Sequence, residues 1–130
     1  MAKQPTVPPE LHELESEVME DIWGRGGEAS VRDVMEAINK RAPKPRAYTT
    51  YMTILSRLHG KGFLTRRREG RTDLYEAAYT RDEYANLRAQ AGVDTLVDQY
   101  GDAALSHFAR QIAQLDPERR RQLQRLAREK

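Results

Sequence analysis

Tyr48-Thr49-Thr50-Tyr51-Met52-Thr53-Ile54-Leu55-Ser56-Arg57-Leu58-His59 is the stretch that decides the fold. At 100° per residue, Tyr48, Tyr51, Leu55 and Leu58 fall on one arc with Ile54 at its edge, and this spacing predicts a helix that buries them. The opposite arc collects Arg46, Thr49, Thr50, Thr53, Ser56 and Arg57, with Met52 between the two faces. It holds small hydroxyls and arginines and no acid, whereas a merely solvated helix face mixes in Glu and Asp for intrahelical pairing. Short hydroxyls let the backbone approach phosphates and base edges, arginine adds charge and bidentate reach, and the helix N-terminus adds partial positive charge. The pattern points to a DNA groove.

Upstream, Leu11, Leu14, Val18 and Ile22 recur at three- and four-residue spacing and predict a helix ending near Gly24. Ser30 with Asp33 resembles a capping box opening a second helix, whose inward face is Val31, Val34, Met35 and Ile38. Ala42 to Pro45, with two prolines, closes it. Residues 1–9, with three prolines and no periodicity, are expected to form a disordered arm. Downstream, Gly60 and Gly62 end the third helix. Phe63 to Arg68 and Thr72 to Ala77 then read as two strands around Glu69-Gly70-Arg71. Leu74 is expected to face the core and Tyr75 to point away. Arg66, Arg67, Arg68 and Arg71 crowd the tip, so the ribbon reads as the wing of a winged helix, touching flanking phosphates.

Thr80 with Glu83 opens a fourth helix carrying Tyr84, Leu87, Ala91, Leu96, Val97 and Tyr100. Leu105, Phe108, Ile112 and Leu115 mark a fifth, and Asp116-Pro117 starts a sixth with Leu123 and Leu126 inward. So few large apolar residues make little core, and pairing with a second copy would complete it. The candidate dimerisation residues are therefore Leu87, Leu96, Val97, Tyr100, Leu105, Phe108, Ile112, Leu115, Leu123 and Leu126. The expected fold is mainly α. A winged helix-turn-helix of three helices and a β-hairpin wing spans 10–79, and a helical dimerisation domain spans 80–130.

Charge supports this division. Lys40 to Arg71 holds ten basic residues against the single acid Glu69, a local +9 that leaves −7 for the rest of a chain whose net charge is +2. Such concentration fits an anionic polymer. No cysteine is present, and His12, His59 and His107 stand in three separate segments, so neither a metal nor another cofactor is expected. His107, Asp102 and Asp98 form no nucleophile–base arrangement and no glycine-rich phosphate loop occurs, which argues against an enzyme. No run approaches the roughly 20 apolar residues of a membrane span, and MAKQPTVPPE has no signal core, so a cytoplasmic protein without direct membrane association is expected.

With these segments placed, the sequence resembles the BlaI/MecI family of penicillinase repressors. The resemblance rests on Glu17-Val18-Met19 to Trp23, Ala47-Tyr48-Thr49-Thr50-Tyr51-Met52-Thr53-Ile54-Leu55-Ser56-Arg57-Leu58, and Lys61-Gly62-Phe63-Leu64. It implies a homodimer holding a palindromic operator in double-stranded DNA, with Thr49, Thr50, Met52, Thr53 and Arg57 as DNA-reading positions. It also implies control of β-lactamase, penicillin-resistance or related genes, relieved when a membrane-bound β-lactam sensor protease leads to cleavage in the dimerisation region. The matching stretch is Leu105-Ser106-His107-Phe108-Ala109-Arg110, with the bond between His107 and Phe108 as the candidate. Phe108 read by itself is equally a dimer-core residue. Copper-responsive relatives carry C-terminal cysteine clusters that this chain lacks. The alternative is a winged-helix regulator whose C-terminal helices bind a small-molecule effector, with Tyr84, Tyr100 and Phe108 as the available aromatics.

Overall fold

A computed structural model describes residues 7–129. The chain runs α1 (Glu13–Arg25), α2 (Val31–Arg41), α3 (Tyr48–Gly60), β1 (Leu64–Glu69), β2 (Thr72–Ala77), α4 (Arg81–Tyr100), α5 (Asp102–Ala113) and α6 (Pro117–Arg128). It divides into two compact units, one ending at Ala89 and one from Gln90 on, so the division falls inside α4. Among the described residues no helix is long and apolar enough to cross a membrane.

In the first unit α1 runs one residue past the expected Gly24, to a left-handed Gly26 (φ 75°) whose N–H donates to Ile22 O. Ser30 opens α2 as expected: its Oγ accepts from Asp33 N at 3.1 Å, and Asp33 Oδ2 accepts from Ser30 N at 3.0 Å. Val18, Met19, Ile22, Val34, Ile38, Tyr51, Leu55, Leu58 and Phe63 form the centre of the core, with Leu11, Leu14 and Met35 packed at its edge. Tyr48 departs from the expectation, being 43% exposed. It is the first residue of α3, where no preceding helical turn covers it, and it lines a cleft with Ser30, Val31 and Met52.

The strands pair antiparallel, Leu64 opposite Ala77 and Arg66 opposite Tyr75, around Gly70 (φ 64°). This register corrects the expected parity of β2: Tyr75 is buried and Leu74 only half-buried. Leu64 is the core residue of β1, and side chains alternate along a strand, so Arg66 and Arg68 share its face together with their partners Tyr75 and Asp73. Backbone bonds also seat Tyr75, Ala29 N donating to Tyr75 O at 2.9 Å and Tyr75 N to Ala29 O at 2.8 Å.

The start of α4 belongs to this unit. Thr80 and Glu83 cap each other's backbone N–H groups, Trp23 Nε1 donates to Tyr79 O at 2.8 Å, and the Tyr84 ring lies 5.7 Å from Trp23 and 5.6 Å from Phe63. Leu87 is half-buried here. Residues 1–6 of the expected arm lie outside the described residues. Its end is seated: Pro8 is buried, and its carbonyl accepts from Arg88 Nη1 at 3.4 Å.

In the second unit Gly101 (φ 55°) turns α4 into α5, and Asp116 caps α6 by accepting from Arg119 N at 2.8 Å. Arg120 Nη2 closes the end of α5 by donating to Ala113 O and Leu115 O. Ala104 is the one buried apolar residue among the described residues of this unit, while Leu96, Tyr100, Leu105, Ile112 and Leu126 are exposed. Val97, Phe108, Leu115 and Leu123 are half-buried.

Candidate nucleic-acid interface

The site is built on α3, and its start is fixed by a residue the sequence reading passed over. Asn39, near the end of α2, donates from Nδ2 to Arg46 O at 2.9 Å and accepts on Oδ1 from Arg46 N at 3.0 Å and from Tyr51 Oη at 2.7 Å. One amide therefore closes the α2–α3 turn and satisfies the hydroxyl of a fully buried tyrosine. Nothing in the local pattern marks Asn39, because its partners lie seven and twelve residues away.

Thr49, Met52, Thr53, Ser56 and Arg57 stand exposed on the outer face of α3, with Thr50 and Arg46 half-buried at its margin. Two clefts run along this face against the wing. One, of about 530 Å³, lies between Met52, Thr53, Ser56 and Arg57 and the wing residues Arg66, Asp73 and Tyr75. The other, of about 460 Å³, joins Ser30, Val31, Arg32, Tyr48 and Met52 to Arg71, Thr72, Asp73 and Tyr75. Met52, 45% exposed, lines both.

The basic residues are not equally free. Four of the ten between Lys40 and Arg71 hold carboxylates: Lys61 with Glu15 (2.8 Å), Arg46 with Glu17 (3.6 Å), Arg68 with Asp73 (3.1 Å), and Arg67 with Glu28 (2.7 Å) and Glu69 (3.1 Å). Lys40, Arg41, Lys44, Arg57, Arg66 and Arg71 have no ion pair among the described residues. Counting residues along the chain therefore overstates the free positive charge, since, apart from Glu69 on β1, its neutralising acids come from α1, the α1–α2 loop and β2. Arg46 Nη1 is buried without a hydrogen-bond partner among the described residues.

Two carboxylates are tuned by these pairs. The hydrogen bond from Arg67 holds the Glu28 carboxyl below its usual range. Burial pushes Glu15 up, but the Lys61 ammonium and the His12 N–H together pull it down further, leaving it lowered.

A helix-turn-helix whose second helix presents an acid-free hydroxyl and arginine face, flanked by a β-ribbon wing, defines a winged-helix DNA-binding domain. Residues 11–129 match the family described as penicillinase repressor, and the chain belongs to that family of DNA-binding transcriptional repressors. Over 103 residues, 78% of this chain and 73% of the relative, it is 36% identical to the transcriptional regulator BlaI of Mycobacterium tuberculosis, in strain CDC 1551 / Oshkosh and in strain H37Rv alike. Its structure is similar to that of the DNA binding domain of the repressor BlaI, with a TM-score of 0.51 and 27% identity over 62% of this chain and 94% of that one.

Proposed function

We propose that the protein is a cytoplasmic homodimer that represses transcription from a palindromic operator, controlling β-lactamase, penicillin-resistance or related genes. The observation that carries this reading is the exposed outer face of α3, acid-free and walled by a wing that supplies Arg66 and Arg71, which have no ion pair among the described residues. In it, Thr49, Thr50, Met52, Thr53, Ser56 and Arg57 meet base edges and adjacent phosphates. Arg66 and Arg71 meet flanking phosphates, and Arg46, half-buried at the start of α3, adds positive charge beside them. The exposed apolar residues of the second unit form the subunit interface.

Release follows from cutting α5 between His107 and Phe108, in a β-lactam sensor pathway. His107 is exposed, and the cut divides the Asp102–Ala113 helix that carries much of the apolar surface. A dimer holding two half-sites loses most of its operator affinity once the pairing fails.

One observation favours the effector-binding alternative. Leu96, Tyr100, Ala103, Ala104, His107 and Phe108 line a cup of about 300 Å³. Tyr84 belongs to the first unit, where it packs against Trp23 and Phe63. Sequencing duplex fragments selected from genomic DNA tests the main reading: the expected product is a palindrome upstream of a resistance gene, and random fragments overturn it. Thermal shifts with phenolic ligands separate the alternative, which expects stabilisation of the intact dimer and loss of DNA binding.

A further inference from the structure

A two-stranded ribbon has little stability of its own, so the angle at which the wing meets DNA depends on what ties it down. Its base is seated by the buried Leu64 and Tyr75 and by the Leu64 carbonyl, 3.0 Å from His59 Nδ1, and toward the tip two further ties are present among the described residues. The backbone pairing of Ala29 with Tyr75 holds the middle of β2. Beyond it, Arg67 Nε and Nη2 grip the two oxygens of Glu28, each at 2.7 Å, and Nη2 also reaches Glu69 at 3.1 Å. The strand register puts Arg67 on the face opposite Arg66 and Tyr75, away from the cleft beside α3. Glu28 stands one residue before Ala29 and two before the α2 cap Ser30, so the grip joins the wing to the helix-turn-helix.

We propose that Glu28 is a positioning residue for DNA binding: by holding Arg67 it sets the wing so that Arg66 and Arg71 reach phosphates, while Arg67 itself touches none. This rests on the DNA-binding reading above. An exposed ion pair adds little to folding stability, so its loss registers in binding rather than in melting.

The test uses the full-length protein with Glu28→Gln, Arg67→Glu and the exchange Glu28→Arg/Arg67→Glu, titrated with operator and random duplexes over a range of salt. Glu28→Gln removes a negative charge, and long-range electrostatics alone would tighten its hold on DNA. The clamp has the opposite sign. Glu28→Gln is expected to weaken both duplexes about three- to tenfold and to lower the salt slope by about one, with Tm moved by no more than about 2 °C. The exchange, which conserves net charge, is expected to recover binding to within about twofold of the wild type. Unchanged or tighter binding by Glu28→Gln overturns the proposal, as does an exchanged protein no better than Arg67→Glu alone. Wild-type protein that retards no duplex at low salt overturns the DNA-binding reading itself, and so is told apart from failure of the clamp.

Discussion

Arg57 is exposed on the outer face of α3, lines the larger cleft with Arg66, and has no ion pair among the described residues. Its removal should therefore cost recognition and not folding. Arg57→Ala is expected to weaken operator binding by about 1–3 kcal/mol with Tm unchanged, checked by fluorescence titration beside a thermal melt. Asn39 is the converse case. Asn39→Ala leaves the Arg46 N–H, the Arg46 carbonyl and the Tyr51 hydroxyl short of a partner, and about 1–3 kcal/mol of stability should go with them in urea denaturation. Arg57 could be read from helical periodicity because its neighbours on the face, Thr53, Thr50 and Thr49, precede it by four, seven and eight residues. Asn39 could not, since its role exists only once the α2–α3 turn has folded back on it.

At the scale of the element, the wing and the ends of the helices carry the argument. Arg66→Ala and Arg71→Ala should each weaken operator and random DNA alike and lower the salt slope by about one, measured by titration at several salt concentrations. The ribbon and its basic tip were legible from Gly70 and the arginine run. Its parity was not, because Leu74 and Tyr75 are both plausible core residues and the choice was made by Leu64 on the other strand and by pairing with Ala29. Glu15 was equally hidden: it is 1% exposed amid the apolar stripe of α1, and its partner Lys61 comes from the α3–β1 turn. Its carboxyl titrates below the ordinary 4.5 in the folded protein, so the pair's stabilisation is complete above about pH 4.5 and disappears as pH falls through the lower folded value. Glu15→Gln should cost about 1–3 kcal/mol at pH 7 and flatten the fall in stability on acidification below the ordinary carboxylate value, read from melts at a series of pH values.

At the scale of the whole molecule, the two units make opposite statements about self-sufficiency. The first buries a core drawn from all three of its complete helices and both strands; the second buries Ala104 and leaves Tyr100 62% and Leu105 50% exposed. The spacing of Leu105, Phe108, Ile112 and Leu115 showed that α5 has an apolar stripe, but periodicity cannot say whether such a stripe meets its own chain or another. In the proposed homodimer the answer has a functional consequence, because each winged helix then raises the effective concentration of the other at the second half-site. Leu105→Glu places a charge on that stripe and should give monomers by analytical ultracentrifugation at micromolar concentration. Affinity for the full palindrome should fall by about a hundredfold or more, while affinity for a half-site duplex stays where it was, since the first unit keeps its own core. Parallel loss on half-site and full-site DNA would place the lesion in the winged helix instead, and a Leu105→Glu protein that stayed dimeric would remove the stripe from the interface.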